Sequence, residues 1–344
     1  MTVSLVTYNG LKWLPGCLRT LRAQTLQPLE VLVIDNASTD GTVGWLRAEA
    51  ERDRRLVLSE SSENLGFAKA HNRSIFRARG DFVCLLNQDI ELDERFLEEA
   101  TKPFALHGRI AAVQGRLRRL TPDGTRSSVL DSTGLVMYRD RRVVSRGQGE
   151  EDGPAHGAPG SVWGADGPAP VYRRAALLDA RLPASTGSWE ILDEDFFMYK
   201  EDVDLAWRLR LLKWEAWYTP SALAWHARGA GGTRASNIVG VIRAGRAIPR
   251  QVKILSWRNQ RLMQVKNEEL WGYVRDLPWI VLRELTSLGY MLVADPLRLI
   301  SLPKFFRAAP HAFSKRRYLI NEVVAKRPSA REANSQRRPL GDGL

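Results

Sequence analysis

An α/β fold, with a mixed and mostly parallel central sheet flanked by helices and a helical C-terminal extension, is what this sequence predicts, on three observations. Val3–Thr7 and Leu29–Ile34 are apolar runs of strand length, and between them Leu14, Leu18, Leu21 and Leu26 recur at near-helical spacing. Strand, helix and strand within about 35 residues is the pattern of a right-handed parallel crossover. The pattern then repeats with Leu56-Val57-Leu58, a helical start near Gly66, and the strand Asp81–Leu86. Finally, the predicted strands run into polar clusters: Tyr8-Asn9-Gly10, Asp35 to Thr42, and Asn87-Gln88-Asp89. Open parallel sheets bind ligands beyond the carboxyl ends of their strands, which puts Asn9, Asp35 and Asn36 on the ligand side.

Taken in order, the Asp35–Thr42 run has two readings, because Asn, Ser, Asp and Gly are also ordinary turn and helix-cap residues. After the third strand, Glu63 to Ser74 begins a helix. Gly66 there permits close approach to backbone, and Asn64 and Asn72 offer amides. Asp89, just past the fourth strand, can hold a divalent cation by one or two oxygens while substrate phosphates supply the rest. Arg95–Leu106 reads as a helix and Ala111–Leu117 as a strand. Residues 118–162, rich in Gly, Pro, Arg and Ser, read as a mobile connection able to close over substrate, with a strand over 131–137. Order resumes at Trp163, and Arg173-Arg174 either meet an anion or open a solvated helix.

The chemistry concentrates between Asp193 and His226. Glu201, Asp202 and Asp204 precede Leu205, Leu209 and Leu212, which share a helical face, so these carboxylates sit at a helix start where the backbone dipole favours negative charge. A general base can be held ionised there, although capping residues also look like this. Phe196, Phe197, Tyr199 and Trp207 surround them, and a strand-like run to Trp225 ends in the lone His226.

Composition narrows the class. The 344 residues, 44% of them hydrophobic, suffice for about two domains. Cys17 and Cys84 fall in apolar patterns and read as buried thiols of a reducing compartment, not as a disulfide or zinc framework. Met1-Thr2 runs straight into the first strand, so no signal peptide and a cytoplasmic location are expected. Residues 241–344 hold 20 Lys and Arg against 8 Asp and Glu, so the whole formal excess of +12 lies there. Between Leu277 and Ile300, Trp279 and many leucines are interrupted by Arg283, Glu284, Asp295 and Arg298. No run reaches the ~18 uninterrupted apolar residues of a spanning helix. Two readings stand: helices lying in an anionic membrane surface, or a helical subdomain packed on the core or in a homodimer.

Thr7-Tyr8-Asn9, Asp35 to Thr42, Asn64-Leu65-Gly66-Phe67, Leu86-Asn87-Gln88-Asp89 and Lys200-Glu201-Asp202-Val203-Asp204-Leu205 occur in that order. With this ordered set the chain resembles family 2 glycosyltransferases, closest to their rhamnosyltransferase-like branch, over roughly residues 2–265. Ser256-Trp257-Arg258-Asn259-Gln260-Arg261 also has a counterpart in that branch. The resemblance implies the Rossmann-like GT-A fold and inverting transfer of a sugar from a nucleotide-diphosphate donor. It implies a catalytic domain at 1–236, with a nucleotide-sugar half about 1–117 and an acceptor half about 118–236. A basic amphipathic helical region at 237–330 and a disordered tail at 331–344 follow.

Carried over by position, the resemblance puts Thr7, Asn9, Asp35 and Asn36 around the nucleoside, and Asn64, Gly66 and Asn72 near the nucleotide or donor sugar. Asn87 and Asp89 stand where the family has Asp-x-Asp, so Asp89 is the expected ligand of Mg²⁺ or Mn²⁺, with His226 as a second ligand or else a satisfied core histidine. Asn87 replaces the first carboxylate of that motif, which lowers the site's negative charge. Asp202 matches the family's base, with Glu201 beside it; Trp163, Asp195 and Tyr199 are the candidate acceptor residues. The expected donor is dTDP-L-rhamnose, with a UDP-hexose or UDP-N-acetylhexosamine as alternative, and the acceptor a glycan or a polyprenyl-diphosphate-linked saccharide in cell-surface polysaccharide assembly. Such an enzyme would sit peripherally on the inner face of the plasma membrane. A reading from another class, a nucleic-acid-binding protein, rests on a pI near 10 alone, and no nucleic-acid-binding motif accompanies the basic residues.

Overall fold

A computed structural model describes residues 1–27, 29–227 and 248–325. Its main sheet begins with β1 (Thr2–Thr7), β2 (Glu30–Asp35), β3 (Leu56–Glu60) and β4 (Phe82–Asn87). These four are parallel in the spatial order β3-β2-β1-β4, linked by helices α1 (Leu14–Arg22), α2 (Thr42–Arg52) and α3 (Gly66–Arg77). Register places Thr7 beside Asp35 and Val6 beside Asn87, so the polar clusters at the strand ends share one edge. Val3, Leu5, Val31, Val33, Cys84 and Leu86 fill the core against α1, and both cysteines are free, buried thiols.

The sheet continues as a mixed one. After β5 (Ile90–Leu92) and α4 (Phe96–Thr101), β6 (Ile110–Leu120) lies two places from β4, with an antiparallel strand wedged between them. Residues 118–162 are not a mobile connection: β6 runs on to Leu120 and pairs antiparallel with β7 (Arg126–Ser132), and β8 (Leu135–Met137) pairs with β9 (Val143–Ser145). The expected strand over 131–137 is thus two strands, broken at Gly134, whose φ of +117° few side chains tolerate. Composition concealed these elements because they are short ribbon strands with Arg and Ser on the open face. β10 (Gly160–Val162) and the wedged strand β11 (Val171–Arg173) complete the order, and α5 (Arg174–Asp179) follows.

A small hairpin, β12 (Leu182–Pro183) with β13 (Trp189–Glu190), leads to the acidic stretch and α6 (Glu201–Leu211), and β14 (Glu215–His226) returns beside β6. Beyond the second gap lie α7 (Arg250–Asn267), α8 (Leu270–Ala294) and α9 (Ser301–Tyr318). The expected boundary at 236 and the tail at 331–344 fall outside the described residues.

The terminal helices pack on the core by an unusual device, buried charge. Lys266 of α7 is fully buried against Asp193 and, at 2.9 Å, Asp204. Lys315 of α9 meets Glu190, Asp193 and Asp195 at 2.6, 2.6 and 2.8 Å. These carboxylates pull Lys315 well above its ordinary range, overcoming the burial that would lower it. α8 is held through buried Asp276 to Arg139 and Arg141 at 2.9 Å each, through Arg283 to the Asp140 carbonyl, and to α7 through the Arg261–Glu284 pair and the Trp257 indole N–H to Ser287 at 3.3 Å. Trp271, Val274, Leu282, Leu285, Leu292 and Val293 remain exposed. By length and composition alone α8 could cross a membrane, although Arg283 and Glu284 interrupt it.

Candidate functional site

Asp202 enters the site because the chain kinks sharply before α6. Phe197, Tyr199 and Lys200 all have positive φ, at 65°, 70° and 74°, conformations that cost non-glycine residues stability unless neighbours enforce them. Asn259 of α7 is the enforcer: its buried amide donates to the carbonyls of Phe196, Met198 and Tyr199 at 3.0, 2.9 and 2.8 Å. Arg258 adds a bond to the Asp195 carbonyl at 2.6 Å. The Trp-Arg-Asn-Gln-Arg segment noted in the sequence therefore serves the kink before Asp202.

The Asp202 carboxylate accepts from the Val203 N–H at 2.8 Å and from the Gly167 N–H at 3.1 Å. Burial, with Asp166 next in weight, lifts it from the ordinary 3.8 to about 6, while Lys200 and the two N–H bonds restrain the rise. Glu201 is buried further, with its Oε2 unpartnered, and burial together with the Asp202 charge pushes it up to about 8. At neutral pH the two carboxyls divide the work: Asp202 ionises while Glu201 keeps its proton. Burial lowers Lys200 against the pull of those same carboxylates.

The expected metal position is close by. Asn87 donates its N–H to the Pro168 carbonyl at 2.9 Å, which joins the Asn87-Gln88-Asp89 turn to the loop that holds Asp202. Asp89 accepts the Ala227 N–H on its backbone carbonyl, and its carboxylate lies 3.4 Å from Nε2 of His226. The other ring nitrogen, Nδ1, meets buried Asp131 at 2.8 Å. Burial alone would lower His226, but Asp131 and Asp89 raise it to about 9. Among the described residues no three His, Cys, Asp or Glu side chains converge as a ready metal cage. The donor set still fits a cation: a carboxylate oxygen and an imidazole nitrogen whose far side is fixed by a second carboxylate, with substrate phosphates completing the shell.

The remaining predicted residues separate into two groups. Asp35 is fully buried; one oxygen accepts the Ser38 N–H at 2.9 Å and the other has no partner, as expected of a group that awaits a ligand. Asn87 likewise keeps a buried, unpartnered Oδ1. The others make hydrogen bonds within the chain. Thr7 donates to Gln88 at 2.6 Å, Asn9 accepts the Thr39 N–H at 2.8 Å, and Asn36 binds both Leu65 N–H and Gly66 carbonyl. Asn64 caps Gly66 at 2.9 Å. Asn72 uses all four of its hydrogen-bond positions on Ile191, Leu192 and Glu194. At Gly66 (φ +76°) the close approach comes from Phe197, whose ring and carbonyl lie 2.5 Å from where a Cβ would stand.

The acceptor candidates diverge. Tyr199 is exposed beside the kink, and Asp195 is paired with Lys315. Trp163 is not brought to Asp202: it lies edge-on to Trp207 and lines a separate cleft of about 630 Å³ with Arg139, Arg210 and Asp276. Arg173 is spent on the Ile110 and Phe104 carbonyls. The structure adds two carboxylates that the sequence did not single out, Asp131 and Asp166. Asp131 stood at the start of the strand expected over 131–137, with nothing in the sequence to tie it to His226. A signal for Asp166 existed in Gly164-Ala165-Asp166-Gly167, an acidic residue between glycines at a strand end.

Comparisons with known proteins agree with this geometry. The description of glycosyl transferase family 2 matches residues 2–164. The N-acetylglucosaminyl-diphospho-decaprenol L-rhamnosyltransferase of Mycobacterium tuberculosis is 28% identical over 250 residues, covering 66% of this chain and 75% of that one. The poly-beta-1,6-N-acetyl-D-glucosamine synthase of Staphylococcus aureus is 24% identical over 226 residues, covering 65% of this chain and 49% of the synthase. Among solved structures, S. aureus TarS 1-349 in complex with UDP superposes with a TM-score of 0.55 at 17% identity, over 100% of this chain and 93% of that chain. GalNAc-T7 with UDP, GalNAc and Mn²⁺ gives 0.54 at 12% identity, over 85% and 56%. Residues 2–164 form a family 2 glycosyltransferase domain, within a chain that has the GT-A fold.

Proposed function

We propose that this enzyme transfers L-rhamnose from dTDP-L-rhamnose, with inversion, to a saccharide carried on a polyprenyl diphosphate. The observation that carries the reading is Asp202, a partly exposed carboxylate held by two N–H groups beside a protonated Glu201, with its pKa raised to about 6. A base of that strength is matched to neutral pH. Asp202 takes the proton of the acceptor hydroxyl as its oxygen bonds to the anomeric carbon. The bond to the diphosphate breaks on the opposite face, and its electron pair leaves with the nucleotide. Asp35 holds the nucleoside through its unpartnered oxygen. Asp89 and His226 would hold Mg²⁺ or Mn²⁺, which neutralises charge on the leaving diphosphate. The rhamnosyl donor and the lipid-linked acceptor are supported by the name and 28% identity of the mycobacterial relative.

A donor panel tests the reading. Thermal shift and nucleotide release with Mg²⁺ or Mn²⁺ should single out dTDP-L-rhamnose. Selection of a UDP-hexose or UDP-N-acetylhexosamine would replace the donor, and no response to any nucleotide sugar would remove the reading.

A lipid-linked acceptor requires the enzyme to reach a membrane surface, and the exposed apolar side of α8 with the basic C-terminal charge suits an anionic one. Because truncation before α9 would strip Lys315 from its carboxylates, flotation with anionic vesicles should compare the intact chain with a Trp271→Ser, Leu282→Ser, Val293→Ser variant. Equal flotation, or none for either, removes the membrane contact.

A further inference from the structure

Asp166 is a buried carboxylate that the mechanism above does not use. Its backbone N–H donates to Gln114, itself fully buried, at 2.7 Å. Its Oδ1 accepts the Gly167 N–H at 3.0 Å, the same N–H that donates to Asp202 at 3.1 Å. Two carboxylates that share one donor repel each other. Its Oδ2 is buried and has no hydrogen-bond partner, although the side chain is only 7% exposed. Leaving an anionic oxygen dry and unpaired is costly, so such a group persists where a ligand completes it. The absence of a Cβ on Gly167 makes the pairing with Asp202 geometrically possible, since one would stand 3.3 Å from the Asp202 oxygen.

We propose that Asp166 is an acceptor-binding residue: its free oxygen accepts a hydrogen bond from the sugar hydroxyl adjacent to the one that Asp202 deprotonates. The ligand class is a vicinal diol on the acceptor saccharide. This rests on Asp202 as the base, and it gives the site a reason to select one hydroxyl out of several. With two neighbouring hydroxyls held by two neighbouring carboxylates, the attacking oxygen is fixed by its neighbour as well as by the base. The same charge helps keep Asp202 basic enough to act near neutrality. The other charged or titratable groups around Asp202 are Lys200, Glu201 and Asp204 on its own segment, Tyr172 from β11, and Arg283 of α8, which acts on Lys200.

The test is steady-state kinetics of the full chain and of Asp166→Asn, varying donor and acceptor separately across pH 5 to 8. A charge-assisted hydrogen bond lost from the acceptor should raise acceptor KM about tenfold or more. Donor KM should stay within about twofold, and the acid limb of kcat should move to lower pH. An unchanged acceptor KM with an unchanged acid limb overturns the assignment, and an equal rise in donor KM would give Asp166 to the donor instead and overturn it too. Asp166→Ser, which can still accept from Gly167, is measured in parallel in case the amide misfolds. Wild-type transfer that persists at full rate in Asp202→Asn would instead discredit the base, and Asp166 with it.

Discussion

Lowering the pH should switch this enzyme off at a point set by the neighbours of Asp202. With the carboxyl at about 6, roughly nine-tenths of it is ionised at pH 7, half at pH 6 and about one-tenth at pH 5. The rate of transfer at saturating substrates should therefore fall about tenfold from pH 7 to pH 5, where an ordinary carboxylate at 3.8 would lose less than about a tenth. Stability should move the other way. Because the folded pKa is raised, Asp202 contributes stability that is fully present below the ordinary carboxylate value and lost as pH rises through about 6. The shift corresponds to something on the order of 2–3 kcal/mol at pH 7.5. Asp202→Asn should thus abolish most transfer yet melt no lower than wild type at pH 7.5. The gain is trimmed because an amide oxygen can accept only one of the Val203 and Gly167 N–H groups at its ideal position. Nucleotide release and melting temperature, read on the same preparations, decide the matter. An acid limb near pH 4, or an Asn variant that melts several degrees lower, would refute the reasoning.

Asp89→Ala should weaken nucleotide-sugar binding and erase any difference between Mg²⁺ and chelator in a thermal-shift assay; retained metal dependence would remove Asp89 from the cation. Gly66→Ala should destabilise by about 2 kcal/mol or more, since it combines a φ of +76° with the Phe197 backbone, and urea unfolding would show it. Lys315→Met should cost about 3–5 kcal/mol, because Glu190, Asp193 and Asp195 would be left facing one another in the interior. A midpoint within error of wild type would mean that those carboxylates find water.

The parallel half of the fold was legible because apolar runs and leucine spacing report burial on both faces of a sheet, as in β1, β2 and β4. The acidic helix start was legible too, because its residues are adjacent in sequence, and so was the glycine-permitted turn before α3. β6 was legible as far as Leu117, but its extension to Leu120 and its pairing with β7 were not, since an edge with one open face carries Arg and Ser where a buried strand would carry Val. Asp131 stood at the start of the strand expected over 131–137 and was given no role, although it meets the very histidine the sequence had marked. For Asn9, Asn36, Asn64 and Asn72 the sequence could not show the hydrogen bonds that each makes within the chain. A polar residue at a strand end is equally suited to a ligand or to a backbone group on the next loop, and only the hydrogen-bond partners distinguish the two.

The basic C-terminal third shows how misleading net charge can be when its members are buried. Lys266 and Lys315, counted in the sequence as part of a cationic surface, are among the least exposed side chains of the chain. They neutralise Asp193, Asp204 and Glu190, and Asp204 lies two residues beyond Asp202 on α6. Asn259, meanwhile, keeps the Phe196, Met198 and Tyr199 carbonyls in place so that the positive-φ kink ends with Asp202 turned toward Gly167. The helices α7 and α9 therefore hold the acidic stretch that leads into Asp202 by both ion pairs and hydrogen bonds. Among the described residues, α8 carries exposed Trp271, Leu282, Leu285 and Val293, the face proposed above to meet a membrane.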